Sequence, residues 1–385
     1  MKYPHIEALP TNPYEFEGAT AAEIGYDTKS LDQRYIEWID GDLGQRVGVY
    51  ETQPHREVDV KPDVTILMQA SHDYRLEPLW MRNMDIIASR TGARVVGVET
   101  PGTVGLLKAG DDGSWSVYDS TERLSGDRQT AGQLFGALRG EFVRHAEVQL
   151  RAIRETVGLG ESERIILLGE SMGASVATDT LALARDQDLA VSDLVLYEMV
   201  NSHQGHNIAV PLRLMNILPG VENDRRTQGF MENAEIGHPM MAFEMMSERQ
   251  RTLDEARKKL GQQGIAALVN GIGMAQGKRE TLATNLLVTL VNGAGMAHGK
   301  LDTLVGGNMP NITLVRGRES LATNRSDYIN LAGMLHDRGV KVTVHEVVDT
   351  SPHKRDMGHE AVRASLGRRR PFADFISHRV IEQEL

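Results

Sequence analysis

Short apolar runs recur along this chain, each bounded by polar or turn residues and most followed by a stretch with helical spacing. Val64-Thr65-Ile66-Leu67-Met68, after Pro62, lacks the alternation of a half-solvated strand and reads as a strand buried on both faces. Pro78 is well placed for the first turn of a helix whose inward side would carry Leu79, Met84, Ile87 and Ala88. Gly92 stops that helix, and residues 93–98 form the next buried strand. A polar loop over 111–127 leads to the longest helical pattern, 130–157, with Leu134, Leu138, Phe142, Leu150, Ile153 and Val157 on one stripe. Residues 164–168, 194–197, 311–315 and 340–345 read as strands, with a helix over 327–337 and a final helix from 359 onward. A weaker strand pattern occupies 45–53, and residues 1–44, rich in Pro, Glu, Asp and Gly, read as an N-terminal arm.

Strands that alternate with helices imply parallel pairing through right-handed crossovers. The fold class expected is therefore α/β, a doubly wound, mostly parallel sheet that gathers ligands at the carboxyl ends of its strands. Residues 201–309 break the alternation and are rich in Met and Gly. They are expected to form an inserted, mainly helical cap between the two parts of the core, 45–200 and 310–385. Inside that segment residues 268–278 recur 22 positions later as 290–300, with two differences. Two copies are too few for a solenoid and read as a duplicated helical unit.

Composition narrows the function. A chain of 385 residues, 41% hydrophobic and 25% charged, can bury a large core as an ordinary globular protein. Its net charge of −11 argues against a nucleic-acid partner, and Arg368-Arg369-Arg370 is too short to track a phosphate backbone. The absence of cysteine removes disulfides, thiolate catalysis and cysteine metal sites. No 18-residue apolar run and no apolar leader occur, so the expectation is a cytoplasmic protein without a membrane span.

The chemistry points to one turn. In Arg164-Ile165-Ile166-Leu167-Leu168-Gly169-Glu170-Ser171-Met172-Gly173-Ala174-Ser175 a buried strand runs into a helix of small residues. Between them sits Gly-x-Ser-x-Gly, a sharp turn that lifts a serine hydroxyl out of a sheet. Gly169 and Gly173 supply the small side chains such a turn requires. Other signals fail on inspection. The phosphate-loop reading of 271–278 would need glycine at Ile272 and Ser or Thr at Arg279, and the dinucleotide fingerprint would need glycine at Gln276. His203 and His206 lack a third ligand at convincing spacing, so neither metal nor cofactor is expected. The methionines of 201–309, Met240, Met241, Met245 and Met246 among them, read as adaptable packing; lining a pocket, they would suit a substrate with an apolar portion.

With Gly-Glu-Ser-Met-Gly in this strand order, the chain resembles the α/β-hydrolase superfamily over roughly 45–200 and 310–385. The resemblance implies a nucleophile, an acid and a histidine in that chain order. Ser171 is then the nucleophile, and His359, in Met357-Gly358-His359-Glu360, the general base, with His353 as the alternative. The acid is expected at Glu319, one residue short of the slot that Ser320 fills after Gly317; Glu198, at the end of an earlier strand, follows, and then Asp327. The oxyanion hole would take one backbone N–H from Met172 and one from Ala70 or Ser71, where many members carry His-Gly and this chain has Gln69-Ala70. His72 is more simply a loop hydrogen-bonding residue. The activity implied is serine hydrolysis of a small-molecule carboxylic ester, with a thioester or amide as variants. Acyl transfer to an alcohol and self-association into a homo-oligomer stay open. The competing reading, motivated by the displaced acid and the missing His-Gly, is a catalytically silent module of this fold used for binding or assembly.

Overall fold

The computed structural model describes residues 6–10, 31–55, 63–69, 78–101, 107–109, 111, 115–117, 130–160, 163–199, 299–317, 323 and 325–348. Their strands are β1 (Ile6–Pro10), β2 (Leu31–Ile39), β3 (Arg46–Pro54), β4 (Val64–Gln69), β5 (Arg94–Val98), β6 (Leu107–Ala109), β7 (Trp115–Val117), β8 (Arg164–Glu170), β9 (Val191–Tyr197), β10 (Asn311–Gly317) and β11 (Val342–Val348). The helices are α1 (Pro78–Thr91), α2 (Ala131–Leu138), α3 (Val143–Thr156), α4 (Met172–Asp186), α5 (Leu301–Leu304) and α6 (Arg325–His336).

Nine strands form one sheet in the order β1-β11-β10-β9-β8-β4-β5-β3-β2. Only β3 runs against its neighbours, pairing antiparallel with β2 and β5; the other pairings are parallel. The doubly wound, mostly parallel α/β sheet read from the sequence is the one observed. Helices α3, α4 and α6 cover one face, where Ile153, Ala177, Leu181 and Leu331 pack on Leu67, Leu167, Leu196 and Leu314 in one buried cluster. Helix α1 lies on β3 and β5, with Met84, Ile87 and Ala88 fully buried as its periodicity implied. The strands are near-continuous Val, Ile and Leu because a parallel sheet with helices over it meets no water on either face.

Three expectations need correction. The helix over 130–157 is two helices, α2 and α3, broken at 139–142. Gly140 turns the chain there with φ 77, a left-handed conformation that glycine adopts without a side-chain clash. The break is held from outside. The Phe142 N–H donates to Asp179 Oδ2 at 2.6 Å, and Lys300 Nζ donates to the Gly140 carbonyl and to both Asp179 oxygens, the latter at 2.8 and 2.7 Å. Leu138, on the expected inward stripe, is consequently exposed, while Phe142 is fully buried. Second, the polar loop over 111–127 contains β7, which pairs antiparallel with β6. Third, the stretch read as an N-terminal arm supplies β1 and β2, one at each edge of the main sheet. Strand β2 escapes an apolar-run search because edge strands need little hydrophobicity; of its nine residues only Leu31 and Tyr35 are buried.

The repeat, the methionine-rich segment and the C-terminal helix lie outside the described residues, apart from 299–309. In that stretch Leu301 and Leu304 of α5 join the main core cluster. Among the described residues no helix is long and apolar enough to cross a membrane.

Candidate active site

Strand β8 ends at Glu170 and α4 begins at Met172, so Ser171 alone turns the chain from strand to helix. Its φ of 56° and ψ of −116° lie outside both the right-handed and the ordinary left-handed helical regions. An L-residue holds such a conformation only where its surroundings over-determine it. Here the Ser171 N–H donates to the Tyr197 carbonyl of the neighbouring strand at 2.9 Å, and the Ser171 carbonyl accepts the Ala174 N–H at 3.1 Å. The serine is fastened to the sheet on one side and to the first helical turn on the other.

The glycines explain the sequence of the turn. A Cβ at Gly169 would sit 2.3 Å from the Gly173 carbonyl oxygen and 2.7 Å from the Ala174 Cα. Both are backbone atoms that cannot swing aside, so strand and helix approach this closely only with glycine at that position. Ser171 itself is 3% exposed and Met172 is fully buried. The Met172 N–H belongs to the first turn of a 15-residue helix, where unpaired N–H groups and the helix dipole favour negative charge. A nucleophile and one oxyanion donor can therefore act from the same turn.

Of the carboxylates weighed from the sequence, Glu198 stands next to this turn along the sheet. It follows Tyr197, the residue that accepts the Ser171 N–H and pairs in register with Glu170. Its side chain is fully buried, and Oε2 accepts the Thr323 hydroxyl at 3.1 Å. Its backbone is left-handed, φ 50, and its N–H donates to the Val315 carbonyl of β10 at 2.8 Å. Burial, and after it the charge of Glu198, pushes the Tyr328 phenol well above its ordinary range. Asp327, the third candidate, lies largely buried in the first turn of α6, where Ser326 donates to it at 3.5 Å. Glu319, His359, His353, His72, Ala70 and Ser71 lie outside the described residues, as do His203 and His206.

Gln69 is a residue whose surroundings the sequence did not disclose. It ends β4, opposite Gly169, is 1% exposed, and donates through Nε2 to Thr180 Oγ1 of α4 at 2.6 Å. The signals were an amide closing a mostly apolar run and its place in the Gln69-Ala70 pair, neither of which names a partner.

No protein-family model matches the chain, and no curated protein does. Solved structures similar to it include an esterase from Pyrobaculum calidifontis, 13% identical, over 97% of this chain and 92% of that one, with a TM-score of 0.46. Carboxyl esterase 2 from the mycorrhizal fungus Tuber melanosporum is 11% identical over 92% and 89% of the two chains, with a TM-score of 0.44. An esterase from Pyrococcus furiosus is 12% identical over 99% and 96%, with a TM-score of 0.42. At these identities and TM-scores the similarities establish neither the site nor the activity of this chain.

Proposed function

We propose that the protein is a serine hydrolase of the α/β-hydrolase type that cleaves a small-molecule carboxylic ester. The observation that carries this reading is the strained, doubly fastened backbone of Ser171 at the carboxyl end of β8. A serine hydroxyl is a poor nucleophile until a base takes its proton, and His359 is the base in this reading. Ser171 Oγ bonds to the acyl carbon as its proton passes to the imidazole. The carbonyl oxygen becomes an oxyanion, facing the Met172 N–H and the N–H of Ala70 or Ser71. Collapse breaks the bond to the leaving alcohol, which takes the proton from the imidazole. Water then attacks the acyl carbon as its proton passes to His359; collapse breaks the bond to Ser171 Oγ, which takes that proton back as the acid leaves.

A carboxylate orients the imidazole and offsets its positive charge. Glu319 fills that role by its place after β10; Glu198 is supported by its burial and its position beside the elbow, the turn at Ser171 from which α4 starts.

A fluorophosphonate probe, with intact-mass and peptide mapping, tests the nucleophile. One adduct on Ser171, lost in Ser171→Ala, is expected. If the wild-type protein stays unlabelled while a generic serine esterase reacts beside it, the enzyme reading falls and the silent binding module takes its place. Turnover of a short-chain aryl ester should then assign the acid. Glu198→Ala or Glu319→Ala is expected to lower kcat by about 10²- to 10⁴-fold, and the other to leave it within a few-fold.

A further inference from the structure

We infer that Gln69 and Thr180 form a positioning clamp that sets the end of β4 against the elbow helix and so fixes the oxyanion geometry. The inference rests on the reading of Ser171 as a nucleophile. Gln69 lies between Val98 of β5 and Gly169 of β8 in register, about 4.8 Å from each across a parallel sheet. The strand therefore ends beside Gly169, two residues before Ser171.

The hydrogen bonds define which way the amide faces. Thr180 is fully buried, and its hydroxyl donates its one proton to the Val176 carbonyl at 2.9 Å. What remains on Oγ1 is acceptor capacity, which the Gln69 NH₂ fills at 2.6 Å. The chain of bonds from Gln69 to Thr180 to Val176 thus ties a strand to a helix, in one direction only. The Gln69 Oε1 is buried without a hydrogen-bond partner among the described residues. A buried carbonyl left in that state keeps its desolvation cost without a compensating hydrogen bond. A leucine here would avoid the cost but would lose the hydrogen bond to α4.

In the proposed hydrolase Met172, which starts α4, gives one oxyanion donor, and Ala70 or Ser71, next along the chain after Gln69, gives the other. Such donors work only when held at hydrogen-bond distance from where the oxyanion forms, and a displacement of about 1 Å can cost roughly 100-fold in rate. The neighbouring residue of the same helix, Asp179, is bonded to Lys300 and to the Phe142 N–H. With α4 fixed there, Thr180 is a firm anchor for the strand.

Thr180→Val removes the acceptor and keeps the side chain's shape; Thr180→Ser keeps the hydroxyl. For an aryl ester, Gln69→Leu and Thr180→Val are expected to lower kcat about 10- to 100-fold with KM nearly unchanged. Thr180→Ser is expected to stay close to wild type. A trifluoromethyl ketone, which forms an oxyanion on the nucleophile, should lose affinity in proportion to kcat/KM, while an unreactive ground-state ester analogue should not. A packing defect alone would weaken both or neither. Should Gln69→Leu fail to fold, the Thr180 pair carries the comparison. Ser171→Ala separates the two readings: activity surviving in it sinks the hydrolase itself. An inactive Ser171→Ala beside a fully active Thr180→Val overturns the clamp alone.

Discussion

At the scale of the residue, the elbow stores strain that can be measured. Ser171→Ala keeps a Cβ at φ 56 and ψ −116 and so keeps the cost, whereas Ser171→Gly releases it. A residue held in such a region costs about 1–3 kcal/mol, and glycine loses about 0.5–1 kcal/mol through its freer unfolded chain. Ser171→Gly is therefore expected to be more stable than Ser171→Ala by about 1 kcal/mol in urea denaturation. Equal stability would mean that the turn is not strained. Gly169→Ala should do the reverse. Its Cβ meets the Gly173 carbonyl at 2.3 Å, and a loss of about 3 kcal/mol or more is expected, since backbone rather than a side-chain tip must move. Both residues were legible in the sequence because their demands are local: a serine in a forbidden conformation needs small neighbours two positions away. Gln69 was not legible, because its partner Thr180 is 111 residues distant and nothing in an apolar run announces which helix will cross it.

At the scale of the element, the same distinction explains the broken helix. Local spacing favours one helix over 130–157. The break is imposed by partners far along the chain, Asp179 and Lys300, which lie 37 and 160 residues from the groups they bind. The pair is costly to bury: desolvation raises the Asp179 pKa, and Lys300 and the Phe142 N–H only partly reverse that. Removing one partner leaves the other charge buried. Lys300→Met is thus expected to destabilise the fold by about 3–5 kcal/mol, and the added change Asp179→Leu to recover a good part of that. Urea denaturation of the two single variants and the double variant reads the coupling directly; additive losses would show that the pair does not act as a unit. The central strands β4, β5, β8, β9 and β10 were readable because burial on both faces writes itself as a continuous apolar run. The edge strand β2 was not, since only Leu31 and Tyr35 of it are buried, and its place is set by pairing with β3.

At the scale of the molecule, the corner that breaks the helix also links folding to pH. His145, in α3, is fully buried, its ring lies 5.6 Å from the Phe142 ring, and neither ring nitrogen has a hydrogen-bond partner among the described residues. Burial alone lowers its pKa from 6.5 to about 4. The sign follows from which state binds the proton. Between pH 6.5 and 4 the unfolded chain protonates this histidine while the folded one excludes the charge, so stability falls as pH falls. Above about 6.5 the contribution is complete, and below about 4 both states carry the proton and no further loss follows. The full span is about 3 kcal/mol, of which about 2 kcal/mol should be gone by pH 5. Carboxylates also titrate in this window, so the measurement is a difference. Wild type and His145→Leu are unfolded in urea at pH 7.5 and pH 5. The variant should lose about 2 kcal/mol less than wild type between the two. Parallel losses in both proteins would show that His145 meets solvent or a proton acceptor in the folded state. Because the ring packs on Phe142, whose N–H binds the Asp179 that holds Lys300, protonation is felt first where α2, α3, α4 and the stretch around α5 meet. Acid should therefore loosen the far side of the elbow helix before it reaches the sheet that presents Ser171. The same titration followed by hydrogen exchange should lose protection at the α3 amides before those of β8.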